Sequence, residues 1–127
     1  MRNIVLFFIA LLFLISAKSN VYAGWTLVAT AEESNDKYYL DLKRIKKNSG
    51  FTYAWYLTNY SRINKFGDKS DTTYMKADCQ EFKYKWLSVT YYATDMGKGK
   101  VNATSERETD WYYPAPESVM EAVLKRT

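Results

Sequence analysis

Between residues 51 and 60 the chain alternates two sets of side chains, and that alternation limits its fold more than any other feature. Phe51, Tyr53, Trp55 and Leu57 fall on one side of an extended strand, because successive residues of a strand point to opposite faces. Aromatic and β-branched residues fill the run, which favours a pleated strand over a helix. A second run repeats the pattern: Phe82, Tyr84 and Trp86 alternate with Lys83 and Lys85, and Leu87, Val89 and Tyr91 carry the apolar set onward on the opposite parity. That change of parity implies a bulge or strong twist near Trp86, or a long strand covered on both faces.

Turn-forming residues separate such runs. Asn48-Ser49-Gly50 reads as a hairpin loop between residues 38–45 and 51–60. Asn64-Lys65-Phe66-Gly67-Asp68 parts that strand from residues 72–77, and Asp78-Cys79-Gln80-Glu81 returns the chain into residues 82–92. With residues 25–30 and 111–113 this makes six candidate strands, and their short connections imply an antiparallel meander. The period changes at the end. Ser118 and Glu121 fit a capping box, Pro114 and Pro116 stop strand continuation, and Val119, Ala122 and Val123 share one helical face ahead of Lys125 and Arg126. So short a helix must dock on the sheet to persist. The expected class is α+β: a single antiparallel β-sheet of about six strands with a short C-terminal α-helix. Residues 94–109 are polar and read as a solvated loop. Gly97-Lys98-Gly99-Lys100 lacks the six-residue spacing and the strand–loop–helix setting of a phosphate loop. Asn59-Tyr60-Ser61 and Asn102-Ala103-Thr104 match the glycosylation sequon, a pattern short enough to arise by chance.

The first residues set the compartment. Fifteen uncharged, mostly apolar residues lie between Arg2 and Lys18, followed by small residues at Val21 and Ala23. This is the plan of a secretory signal peptide over residues 1–23, with Sec-dependent export and cleavage before Gly24. A membrane anchor would need about 20 apolar residues, and Lys18-Ser19-Asn20 break the run. No integral membrane segment is expected after cleavage. Taking 23 from 127 residues leaves 104, the size of one domain. Removing Arg2 and Lys18 from the 18 basic residues leaves 16 against 14 acidic ones, a net charge of +2. Export and that near balance argue against nucleic acid as a partner; a mildly basic face would still favour anionic polymers weakly.

The chain has no histidine and one cysteine. Histidine-based triads, the usual general base near neutral pH and Cys/His zinc sites are thereby excluded, and no metal or other cofactor is expected. The first residue after cleavage is Gly24, not the cysteine that lipid attachment requires, so a periplasmic or extracellular protein without a lipid anchor is expected. Cys79 reads first as a buried apolar thiol; an intermolecular disulfide, and with it a homodimer, is the alternative. A catalytic thiol has no histidine to activate it.

The order of several of these pieces is similar to that in the surface-adhesin protein E family of small exported bacterial proteins. The pieces are Trp25-Thr26-Leu27-Val28, Tyr38-Tyr39-Leu40-Asp41, Trp55-Tyr56-Leu57-Thr58-Asn59-Tyr60, Asp78-Cys79, Met96-Gly97-Lys98-Gly99, Trp111-Tyr112-Tyr113-Pro114, and Ser118 ahead of the final helix. The resemblance implies residues 24–127 as one domain, an antiparallel sheet carrying a C-terminal helix, and adhesion to host matrix and plasma proteins. Structural roles are expected for Trp25, Trp55, Trp86, Trp111, Cys79 and Ser118. Relatives often pair the cysteine after the aspartate with another in the last helix; here Leu124 falls near that second position, and an apolar contact is expected in its place.

Two functions compete. The first is a binding module for a protein or polysaccharide. The part after residue 23 holds 4 Trp, 11 Tyr and 3 Phe, more than a core of this size must use. Tyr56, Tyr60 and Tyr112 are the candidate exposed aromatics, with Lys83 and Lys85 as basic neighbours, chemistry suited to recognition. The alternative within this class is a periplasmic structural or inhibitor protein that binds another bacterial protein. The second is a carboxylate hydrolase using Asp78 and Glu81, or Glu106, Glu108 and Asp110. A turn aspartate and a solvated charge run account for those residues without catalysis, so a non-enzymatic protein is expected.

Overall fold

The computed structural model describes residues 21–22 and 24–127; the expected signal peptide lies outside the described residues except for Val21–Tyr22. Among the described residues eight antiparallel strands form one sheet: β1 Val21–Tyr22, β2 Trp25–Thr30, β3 Lys37–Leu40, β4 Lys46–Asn48, β5 Phe51–Asn59, β6 Ser70–Asp78, β7 Lys83–Tyr92 and β8 Val101–Ser105. Their order is β1-β2-β3-β5-β6-β7-β8, with β4 also paired to β5. One α-helix among the described residues, α1 (Val119–Arg126), follows and packs on β2 and β3. The α+β class read from the pattern is the observed one. Cleavage after Ala23 would remove β1 and leave β2 as an edge.

Local chemistry explains the boundaries. The β4–β5 hairpin turns through Ser49 (φ 52°) and Gly50 (φ 82°), and two successive positive φ values make the type I′ turn whose twist suits a hairpin. The strand expected over residues 38–45 is shorter. It stops at Leu40, where Asp41 accepts from the Lys43 N–H (3.2 Å) and from the Arg44 side chain and winds residues Leu42–Arg44 into a 3-10 turn. A polar side chain that bonds its own next turn competes with ladder pairing. The change of parity in β7 is a bulge: Tyr74 pairs Ser88 but Met75 pairs Trp86, so Leu87 is the extra residue. At the helix start, the Ser118 hydroxyl accepts from the Glu121 N–H (3.2 Å), while the Glu121 carboxylate pairs with Lys125 (3.0 Å).

Two expectations about the C-terminal half are overturned. Residues 94–109 are not all loop, because Val101–Ser105 pairs with β7. This edge strand is exposed along its whole length, so no apolar face marks it in sequence. Residues 111–113 form no strand; only Tyr112 bridges to Tyr84, and Pro114 soon follows with no N–H to continue a ladder.

The helix covers one face of the sheet. Val123 and Leu124 sit in a buried cluster with Leu40, Ala54, Tyr56, Met75, Ala77 and Tyr84. The covered face of β5 is therefore the Thr52–Ala54–Tyr56–Thr58 set, not the aromatic set that the alternation first suggests. On the opposite face the 3-10 turn Asp95–Gly97 folds back over Leu57 and Thr72. The Gly97 N–H donates to the Ser70 hydroxyl (2.9 Å), that hydroxyl donates to the Thr94 carbonyl (2.6 Å), and the Met96 N–H donates to the Asn59 side chain (2.9 Å). The first glycine of the motif thus uses its N–H to seat the turn on the sheet. Asn102, the second sequon asparagine, braces the Gly67–Asp68 turn by donating to both residues.

Candidate functional site

The rest of the uncovered face is where side chains with recognition chemistry converge. Alternation places Phe51, Tyr53 and Trp55 of β5 beside Tyr74 and Lys76 of β6, and these beside Lys83 and Lys85 of β7, through the pairs Tyr53–Lys76, Trp55–Tyr74 and Lys76–Lys85. Trp111, held against the β7 edge by the Tyr84–Tyr112 backbone pair (2.9 and 2.7 Å), folds over this face. Its indole stacks on Phe51 (centroids 6.0 Å apart, planes at 23°), and Trp55 stacks on Tyr74 (4.8 Å, 24°). Three ammonium groups surround Trp111: Lys85 at 4.6 Å, Lys83 at 4.9 Å and Lys76 at 6.0 Å from its ring centre, with Lys76 also 4.1 Å from Phe51. A cation over an aromatic face is attracted by the ring's quadrupole, so the rings hold the lysines and share their field.

Two of these lysines have carboxylate partners. Glu81 pairs with Lys83 (2.5 Å) and Glu108 pairs with Lys85. The Glu81 hydrogen bond holds the Lys83 ammonium above its ordinary range, and Lys85 holds Glu108 below the usual carboxylate range. Both acids lie at the solvent edge. Lys76 makes no ion pair among the described residues, which leaves it as the cation best placed to meet a ligand. Along the same face a cleft of about 270 Å³ runs between Trp25, Arg44, Trp55, Thr72 and Tyr92.

The covered face has a second, different cleft of about 260 Å³ beside α1. Its polar centre is Asp71, 8% exposed, whose carboxylate accepts from the hydroxyls of Tyr60 and Thr73 (3.1 Å). Burial pushes this carboxyl above its usual range, and hydrogen bonds from Tyr60, Thr73 and Thr58 work in the opposite direction. Tyr60 is pushed far above an ordinary phenol by burial and by the Asp71 charge, as is Tyr56.

The five residues expected to form one binding patch are divided between the two faces. Lys83 and Lys85 join the open aromatic face. Tyr56 is a core residue at 3% exposure, not an exposed one, because α1 covers its side of β5. Tyr60 is half-buried against Asp71, and Tyr112, 45% exposed, stacks toward Tyr84 and Trp86 on the helix side. Sequence reasoning passed over Phe51, Tyr53, Tyr74 and Lys76 as site residues, although the alternation already put the first two on one face. Asp71 carried no signal, since it stands in the polar connection just ahead of the run over residues 72–77.

Cys79 is also corrected: it is exposed, not buried. It sits past the end of β6 in the turn whose Asp78 carboxylate accepts from the Gln80 and Glu81 N–H groups (both 3.1 Å), with its sulfur 3.5 Å from the Thr52 hydroxyl. Leu124 is buried in the cluster with Leu40, Ala54 and Met75, a cluster to which the exposed Cys79 does not belong. No group of three or more metal-ligating side chains occurs among the described residues, and no helix there is long and apolar enough to cross a membrane.

Comparison with known proteins agrees with the architecture. The family model for surface-adhesin protein E matches residues 25–127. No curated protein matches the sequence. Among solved structures, crystal form II of Haemophilus influenzae protein E is similar over 87% of this chain and 91% of that one, with 14% identity and a TM-score of 0.61. The selenomethionine form of the same protein gives 14% identity, 87% and 90% coverage and a TM-score of 0.62. Protein E from non-typeable Haemophilus influenzae gives 12%, 87%, 79% and 0.56.

Proposed function

The chain belongs to the surface-adhesin protein E family, and on that premise we propose that it is an exported cell-envelope binding protein, an adhesin that grips acidic polysaccharide of the host matrix on the uncovered face of its sheet. The observation that carries this reading is the Trp111 platform, one indole stacked on Phe51 and ringed by the ammonium groups of Lys76, Lys83 and Lys85. Sugar rings stack on flat aromatic faces, and uronate or sulfate groups meet the surrounding ammonium charge. Glu81 and Glu108, at the rim, are the groups an anionic chain would displace from Lys83 and Lys85. Rigid aromatic anchors lose little entropy on binding, which suits them to a central contact. Binding without chemical turnover is the reading these residues support, and the acidic residues of this face are ion-pair partners of lysines.

Heparin, with neutral dextran as control, tests it. Wild-type protein should bind heparin with an affinity that falls as salt rises, and Lys76→Ala together with Trp111→Ala should weaken it at least tenfold. Equal retention of dextran, or undiminished heparin binding by the double variant, would refute the assignment of this face. Whole-cell protease shaving separates a displayed adhesin, which is digested, from a periplasmic protein that binds another envelope component, which is spared.

A further inference from the structure

The cleft beside the helix has a chemistry that adhesion through the opposite face does not use. It is walled by Tyr38, Tyr56, Tyr60, Trp86 and Tyr91, with Asp71 among them, and Met120 of α1 and Val89 also line it. Five aromatic side chains and one carboxylate surround the space, and none of its lining residues is basic. Asp71 is buried yet has no ion-pair partner among the described residues. A buried carboxylate ordinarily has a counter-charge. Here its partners are the hydroxyls of Tyr60, Thr73 and Thr58, and no basic side chain lines the cavity.

We propose that this cleft is an aromatic cage for a small quaternary ammonium ligand of the choline type. Aromatic faces attract a desolvated cation, and cages of several rings are a recurring way to hold methylated ammonium groups. A quaternary rather than a primary ammonium fits, because the Asp71 carboxylate already accepts from Tyr60 and Thr73. A carboxylate has about four lone-pair sites, so it has limited capacity left for new N–H donors but still supplies charge. The volume, about 260 Å³, compares with roughly 30 Å³ per liquid water and admits a cation of a handful of heavy atoms. Trp86, whose indole N–H is buried without a hydrogen-bond partner among the described residues, lines this cleft. Trp25 and Trp55 line the cleft on the other face, where Trp111 also lies, so Trp86 is a specific reporter.

The experiment is a titration of ¹⁵N-labelled protein with choline chloride, reading the indole ¹H–¹⁵N signal of Trp86. Sodium chloride serves as the ionic control and 3,3-dimethyl-1-butanol as the uncharged isostere of choline. A saturable shift of the Trp86 signal is expected with choline, at least tenfold weaker with the isostere and at least tenfold weaker in Asp71→Asn. An equal response to the isostere would make the cleft a simple apolar pocket, and no saturable shift would remove the site; either overturns the proposal. So would undiminished binding by folded Asp71→Asn. The comparison of choline with its isostere uses wild-type protein alone, so the test survives if the variant fails to fold. Loss of heparin binding on the other face would leave this result untouched.

Discussion

Replacing Gly97 by alanine probes the seat on which the open face depends. Gly97 has φ +64°, and a Cβ there would lie 3.1 Å from the Thr72 methyl and 3.2 Å from a Leu57 methyl. The left-handed conformation costs an alanine about 1–2 kcal/mol. Contact is favourable only at about 3.5–4.0 Å between carbons, and neither neighbour can retreat, since Leu57 is 0% and Thr72 9% exposed. Overpacking of that kind adds about 1–3 kcal/mol, for a total of about 2–5 kcal/mol. Gly67 is the internal control: its φ is +83° but nothing lies within 4 Å of the place an added Cβ would take, so Gly67→Ala should lose only the backbone part. Urea melts followed by tryptophan fluorescence would measure both. Thermal melts should show Gly97→Ala falling by at least about 8 °C, at roughly 4–8 °C per kcal/mol for a domain of this size. If Gly97→Ala loses no more than Gly67→Ala, the 94–97 turn is not seated on Leu57 and Thr72, and the steric reasoning fails.

Three further outcomes follow from single groups. Because burial raises the Asp71 carboxyl, the folded state holds that proton more tightly than the unfolded state does; the stability this adds is complete below the unfolded value near 3.8 and is lost as pH rises through the folded one. Any gain in melting temperature from Asp71→Asn should therefore be largest at pH 7 and shrink toward pH 4, and a gap that widens on acidification would contradict the burial argument. Ser118→Ala removes the acceptor for the Glu121 N–H and should cost about 0.5–2 kcal/mol, typically near 1, in a urea melt; no loss would mean the cap is idle. Cys79, being exposed, should react fully with a thiol reagent in native buffer within the time the unfolded protein takes; protection until denaturant is added would restore the buried reading.

What could be read from residues alone was whatever short-range chemistry decides. Asn48-Ser49-Gly50 turns a hairpin because the positive φ values are set within the loop, and Ser118 caps α1 because its partner is three residues away. The parity change around Trp86 pointed to a bulge, a strong twist or a strand covered on both faces, and pairing with β6 selected the bulge. Alternation in β5 likewise divided its side chains into two faces. It could not say which face the helix would cover. That depends on Val123 and Leu124 finding the hollow over Leu40, Ala54 and Met75, and it turned Tyr56 from a candidate ligand contact into core while leaving Phe51, Tyr53 and Trp55 outside. The binding platform needs Lys76, Lys83, Lys85 and Trp111 brought together from separate segments, of which only the Lys83–Lys85 spacing was visible in the chain. Asp71 is the extreme case: its burial, its tyrosine neighbours and the lack of a basic side chain in its cleft come from β3, β5, β7 and α1 closing around it, so they belong to the tertiary structure and to no segment of the sequence.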